Sequence, residues 1–263
     1  MASPVVAMLS DFGSCGHYVG AMKGIVLGIC PEATLVDIAH DLPAHDVKTA
    51  SLELAACYGC FPSNTVFLVV VDPGVGSQRK GLAADTGDYQ FVAPDNGVLT
   101  SVFLDQKPRR IVELSETRFA RPNVSRTFEG RDRFAPAAAW LAKGVQLSAL
   151  GPTVTDYTRV EIPSPSIGDS FVAGEIILVD RFGNLVTNID QAAFDRIAER
   201  SAIRFEVESV RIERLVETYS EIGRDEVCAL FGGTGRLEFA ANSMSAADRL
   251  SLRRGAQVKV SRS

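Results

Sequence analysis

Four strand-like runs in this chain end on an aspartate followed by a tight turn: "AMLSDFG" at Asp11, "VVVDPGVG" at Asp72, "FVAPDNG" at Asp95 and "ILVDRFGN" at Asp180. A carboxylate delivered at the end of a buried strand can orient a hydroxyl or take a proton, and Gly74 and Gly76 just beyond Asp72 allow close backbone approach to a ligand. Aspartate before proline or glycine is also ordinary turn chemistry, because it bonds its own downstream backbone. That explanation serves for any one turn and is harder to sustain for all of them together. Arg79, seven residues beyond Asp72 across a glycine-rich turn, can fold back and hold the carboxylate ionised and oriented. Residues 125–136, "SRTFEGRDRFAP", place Arg126, Glu129, Arg131, Asp132 and Arg133 directly before an apolar helix. Asp132 reads as its N-cap, and Glu129, between Phe128 and Gly130, as the inward-facing member of the run.

The elements that must position these groups follow two grammars. Residues 4–160 alternate β-branched runs ("PVVAML", "TLVDIA", "TVFLVVV", "YQFVAP", "RRIVEL") with helical patterns ("YVGAMKGIVLGIC", "DVKTASLELAACYG", "RDRFAPAAAWLAKG"), which predicts an α/β domain with a largely parallel sheet. In such sheets ligands bind beyond the carboxyl ends of the strands, where Asp11, Asp72 and Asp95 fall. Pro163 and Pro165 interrupt the pattern, so the expected division is an α/β domain over 1–162, a linker over 163–170 and a second domain over 171–263. The last segment holds strand-like runs and one clear helix, "DQAAFDRIAER", and reads as a small all-β barrel or sandwich.

Composition narrows the function classes. A net charge of -5 and a pI near 5.3 carry no basic footprint, which argues against a dedicated nucleic-acid binder and for small-molecule partners. No apolar run approaches the roughly 18 residues of a membrane span, and nothing at the start reads as a secretion signal, so the expected location is cytoplasmic. Five cysteines without framework spacing read as reduced, mostly buried thiols, the Cys57–Cys60 pair included, and no cluster with metal-ligand spacing is present in the sequence. The expectation is therefore no metal and no cofactor.

Taken in order, "SDFG", "YVGAMKG", "VDPGVGSQR", "PDNG", "SRTFEGRDRFAPAAA" and "DRFGNLVTNI" resemble the S-adenosyl-L-methionine (SAM) hydrolases, also called SAM hydroxide adenosyltransferases, which are related to adenosyl fluorinases and chlorinases. The resemblance covers almost the whole chain. It implies an α/β N-terminal domain, a smaller β domain and a homotrimer with SAM bound between subunits. It also implies that Asp11 holds the ribose hydroxyls, that Asp180 and Asn184 hold the methionine end, and that Phe182 lines the pocket. By the same likeness His45 lies beside the ribose, Asn242 in "GGTGRLEFAANS" faces adenine, and Asn96 and Asn188 are further substrate contacts.

In that family an aspartate, an arginine and a histidine orient and deprotonate the attacking water. Asp72 and Arg79 match two of them, while "TFEGRD" puts Glu129 where the family has histidine. The implied reaction gives adenosine and L-methionine. Two other readings stay open: an adenosyl halogenase, which a carboxylate at position 72 disfavours by repelling halide, and a SAM-binding protein in which Glu129 has weakened turnover.

Overall fold

The structure, a computed structural model, describes residues 3–198 and 203–262 and divides after Ile162 into two compact units. In the first unit the chain runs β1 (Val5–Ser10), α1 (His17–Ile29), β2 (Thr34–Ala39), α2 (Val47–Cys57), β3 (Val66–Val70), β4 (Gly81–Asp85), β5 (Gln90–Pro94), α3 (Thr100–Asp105), β6 (Arg110–Glu113) and α4 (Ala135–Ala142). The strands form one sheet in the order β2-β1-β3-β5-β4-β6.

Four of these strands are parallel neighbours, as expected, but β4 runs antiparallel to both β5 and β6. The sheet is therefore mixed. Sequence periodicity passes over β4 because "GLAAD" lacks the β-branched and aromatic residues that mark a strand; burial between two neighbours, not propensity, makes it one.

Alternate residues of β3 enter opposite cores. Val66, Leu68 and Val70 join the cluster beneath α1 and α4, while Phe67 and Val69, with Val71 just past the strand, join the cluster beneath α2 and α3. A sheet covered on both faces needs an uninterrupted apolar strand, and each such side chain contributes about 1.5–3 kcal/mol on burial. Val71 is the last fully buried residue of this run, and Asp72 begins where the cover ends. Asp46 caps α2 through a 3.0 Å bond from Thr49 N.

Asp132 does not cap α4, contrary to the sequence reading. Helix α4 is entered through a π-helical turn over Gly130–Phe134, and Asp132 is fully buried within it.

The second unit carries β7 (Ser166–Ile167), β8 (Phe171–Val179), β9 (Leu185–Asp190), α5 (Gln191–Ala198), β10 (Ile203–Val207), β11 (Val210–Ile212), β12 (Val227–Phe231), β13 (Arg236–Ala241), α6 (Ala246–Leu250) and β14 (Gln257–Arg262). Its strands pair antiparallel along the path β11-β10-β14-β8-β9-β13-β12, with β7 on β8, around a core that includes Phe194, Phe205 and Phe239. Strand β7 falls within the stretch expected as a linker, and α6 adds a short helix to a unit expected to be all-β. The helix read as "DQAAFDRIAER" is α5; its last two residues lie outside the described residues.

Of the thiols, Cys30 and Cys228 are buried, Cys57 is half-buried and pushed up to about 11 by burial, and Cys15 and Cys60 are exposed. Among the described residues no helix is long and apolar enough to cross a membrane.

Candidate active site

Strands β1 and β3 are parallel neighbours with Ser10 opposite Val70, so Asp11 and Asp72 emerge side by side from adjoining strand ends. From β1 the sheet extends to β2 on one side and to β3 on the other, which makes this end a topological switch point, the customary place for a ligand in an open α/β sheet.

At that point one guanidinium holds two acids. Arg79 folds back as its spacing suggested: Nε donates to Asp72 Oδ1 at 2.9 Å, while Nη2 donates to Asp72 Oδ2 and also to Glu129 Oε2 at 2.6 Å. The side chains of Arg79, Asp72 and Glu129 are 9%, 6% and 10% exposed. The Arg79 guanidinium lies 5.1 Å from the centroid of the Phe134 ring, and Arg133 Nη2 approaches the far oxygen of Glu129 at 3.7 Å.

Burial pushes the Asp72 carboxyl up, Arg79 pulls it down and the negative charge of Glu129 raises it again, leaving it above the usual aspartate value. Burial alone disfavours the charged form of Arg79, but its bonds to Asp72 and Glu129 outweigh that and keep it a cation. The result is a carboxylate of raised basicity held in a fixed plane, suited to taking a proton from a water molecule.

The loops around the cluster are pinned to each other. Gly76 has φ +77° and its Cβ position lies 2.4 Å from Arg126 O, so no other residue fits there; Arg126 Nη2 in turn donates to Gly76 O at 2.9 Å. The close approach anticipated at Gly76 is thus to the chain's own backbone. Glu129 is presented by the turn built on Asp132, whose carboxylate accepts from Arg131 Nε (2.7 Å) and Nη2 (2.8 Å), Ser125 N (2.8 Å) and Arg121 Nη1 (2.9 Å). Burial works against its charge, but these donors prevail and hold its pKa at about 2.

The other expected contacts are distributed as follows. Asp11 Oδ2 accepts from His45 N at 2.8 Å, and His45 is exposed with φ +68°. Asp95 accepts from Thr158 N at 2.8 Å, and Asn96 donates to Val71 O at 2.8 Å while accepting from Val98 N at 3.2 Å. Asn96 therefore ties the end of β5 to the end of β3, with both ends of its amide on backbone.

In the second unit Asp180, Phe182 and Asn184 line a cleft of about 600 Å³ together with Tyr219, Ala241, Ser243, Met244 and Ser245. Asp180 accepts from Phe182 N, Asn184 N and Asn184 Nδ2 at 2.8–2.9 Å, and Phe182 stands 76% exposed at the rim. Asn242 adjoins the cleft, its amide donating to Ile222 O at 3.1 Å. Asn188 is buried away from this cleft, accepting from Glu175 N at 2.9 Å and donating to Pro163 O at 3.1 Å, so it holds backbone in place.

Sequence reasoning missed the aromatic wall beside the acid cluster, where Phe128 meets Tyr18 edge-on at 5.0 Å and Phe12 at 5.8 Å. It also missed Tyr219, which donates to the buried carboxyl of Glu238. Neither group forms a local pattern. Among the described residues no group of three or more His, Cys, Asp or Glu side chains is placed to hold a metal ion.

The chain is similar over nearly its whole length to known proteins. The family described as "SAM hydroxide adenosyltransferase N-terminal domain" matches residues 6–151, and that described as "SAM hydroxide adenosyltransferase C-terminal domain" matches residues 174–259. The chain is 36% identical to an (R)-S-adenosyl-L-methionine hydrolase of Thermus thermophilus, covering 97% of this chain and 98% of the relative. A fluorinase of Actinoplanes is more distant at 27%, covering 99% and 98%. The fold matches the crystal structure of a conserved protein of Thermotoga maritima with a TM-score of 0.92 at 35% identity, covering 98% of this chain and all of the other.

Proposed function

The chain belongs to the SAM hydroxide adenosyltransferase family, and we propose that it hydrolyses S-adenosyl-L-methionine to adenosine and L-methionine by attack of water on C5′ of the ribose. The observation that carries the mechanism is the buried pair of carboxylates held by Arg79. As the water oxygen bonds to C5′, the C5′–sulfur bond breaks and the sulfonium leaves as the neutral thioether of methionine. The leaving group needs no proton and no Lewis acid. The attacking water becomes positively charged and must lose a proton, which Asp72 accepts and passes to solvent. Arg79 fixes the carboxylate plane, and Glu129 shares the Nη2 of Arg79 with Asp72 and offers a second acceptor to the water.

The same pair of acids disfavours a halogenase. A halide approaching C5′ would enter beside two carboxylates that share one buried cation, whereas neutral water meets no such repulsion.

Asp11 is proposed for the ribose hydroxyls with His45 beside it, Asp180 and Asn184 for the methionine end, Phe182 for the pocket wall and Asn242 for adenine. Asn96 and Asn188 act as supports of the backbone around these groups. The relatives are named for the R configuration at sulfur, and the proposal extends that preference to this chain. A homotrimer and a cytoplasmic location complete the reading; sedimentation equilibrium tests the trimer.

Incubation of the pure protein with each SAM epimer, with and without chloride, followed by separation of the products, tests the function. Adenosine and methionine in equal amounts from the R epimer, unaffected by chloride, is the expected result. Appearance of 5′-chloroadenosine would replace the reading with halogenation, and SAM bound but unchanged would make the chain a binding protein.

A further inference from the structure

Beside the Asp72 cluster, four side chains form a continuous hydrogen-bonded row. Lys23 Nζ donates to Asp37 Oδ2 at 2.6 Å, Asp37 Oδ1 lies 3.0 Å from His40 Nε2, and His40 Nδ1 lies 2.7 Å from Ser10 Oγ. The order Ser–His–Asp is that of an activated nucleophile. Ser10, however, is fully buried, and His40 is only 9% exposed, so no substrate atom reaches the hydroxyl. The row must serve something other than attack.

Its position in the fold says what. Ser10 is the last residue of β1 and directly precedes Asp11, while His40 directly follows β2 and opens the loop that carries His45. The same two loops are joined by Gly13 N to His40 O (2.8 Å), Ser14 N to Asp41 Oδ1 (2.8 Å) and His45 N to Asp11 Oδ2 (2.8 Å). His40 is thus bonded to the Asp11 turn through both its carbonyl and its ring. Among the described residues these loop-to-loop bonds occupy only Oδ2 of Asp11, which leaves Oδ1 for a ligand hydroxyl.

The proton positions follow from the partners. Burial disfavours the Asp37 charge, but Lys23 and His40 outweigh that and hold the carboxyl below the usual range, so it only accepts, and His40 Nε2 must carry the proton. Ser10 Oγ accepts from Phe12 N at 3.4 Å, and its own proton is available to Nδ1 at 2.7 Å.

We infer that His40, donating from Nε2 to Asp37 and accepting at Nδ1 from Ser10, is a positioning residue: it locks Ser10 and thereby aims Asp11 at the ribose of the substrate. This rests on the proposed SAM site, and it assigns a role to a buried histidine that neither touches substrate nor belongs to the acid cluster.

The test pairs a spectrum with three variants. Nitrogen-15 shifts of the ring in the wild-type protein near neutral pH report the tautomer without substrate, and the Nε2-protonated form is expected. In SAM hydrolysis, His40→Asn keeps an acceptor near the place of Nδ1, His40→Gln reaches only toward Asp37, and His40→Ala keeps neither. Loss of the Ser10 bond should raise KM about tenfold in the Gln and Ala variants, with kcat within about threefold of wild type, because what is lost is substrate binding shared by ground and transition states. His40→Asn should restore KM to within about threefold of wild type.

A ring protonated at Nδ1 or at both nitrogens overturns the inference. So does an equal KM in all four proteins, or an Asn variant as impaired as Ala. A wild type that releases no adenosine at all defeats the functional reading instead, and the nitrogen spectrum still decides the tautomer.

Discussion

Arg79 Nη2 lies 2.6 Å from Glu129 Oε2, and the same nitrogen donates to Asp72. A single buried cation therefore serves two carboxylates, with Arg133 at 3.7 Å from Glu129 as a weaker counter-charge that solvent screens. That shared donor makes Glu129 part of the machinery that sets Asp72, at a position where the family resemblance implied a histidine.

Asp72→Asn keeps the shape of the side chain and removes its capacity to take a proton. kcat should fall by at least roughly a hundredfold, the lower end for general-base catalysis, while KM for SAM changes little. Steady-state kinetics check both; near-normal turnover would make Asp72 structural.

Glu129→Gln removes a negative charge that raises the Asp72 carboxyl and weakens the bond that orients Arg79. The loss of one charged hydrogen bond, about 1.5–3 kcal/mol, predicts a kcat lower by about tenfold or more. Because Asp72 must be ionised to act, the wild-type rate should decline as pH drops through its raised pKa, and this acid limb should move to lower pH in Glu129→Gln. Glu129→His, which installs the residue implied by the family resemblance, should keep near wild-type turnover. Rates of adenosine formation from about pH 4 to 9 in the three proteins check these shifts.

Asp132 predicts a stability effect separate from chemistry. Its folded-state pKa of about 2 lies below the ordinary value of 3.8, so its contribution is fully present above that value and is lost as pH falls through the folded one. Since Arg121 and Arg131 are partly exposed, Asp132→Asn should cost about 1–3 kcal/mol at neutral pH, between the values for surface and buried pairs. Thermal melts should show a lower Tm for the variant near neutral pH, with the gap narrowing as the pH approaches about 2.

These residues also mark where sequence reading succeeds and fails. The spacing of seven residues across a glycine-rich turn permitted the fold-back of Arg79, although the residue alone reads equally as a solvated surface charge, and Glu129 was legible as an inward-facing acid because it stands between Phe128 and Gly130. Asp132 was misread as a cap because its partners depend on a π-turn, which has no residue signature, and on Arg121, eleven residues earlier. The row from Lys23 to Ser10 joins residues up to thirty positions apart and exists only once β1 and β2 are parallel neighbours. Asn188 sits in a motif that reads as a substrate contact, whereas its amide spans backbone from two segments.

A chelator should leave activity unchanged. Departure of a neutral thioether needs no Lewis acid, and a carboxylate suffices to take the proton of water. Assays before and after exhaustive treatment with EDTA check this; activity lost on chelation and restored by one divalent ion would contradict it.

The central claim is that water itself, not a carboxylate of Asp72 or Glu129, attacks C5′. A single turnover with enzyme in excess over SAM, run in oxygen-18 water and analysed by mass spectrometry, decides between them. Direct attack predicts one oxygen-18 in the 5′-hydroxyl of adenosine in the first turnover and none in the protein. Adenosine with ordinary oxygen, together with label in Asp72 or Glu129, would show an ester intermediate and contradict the account.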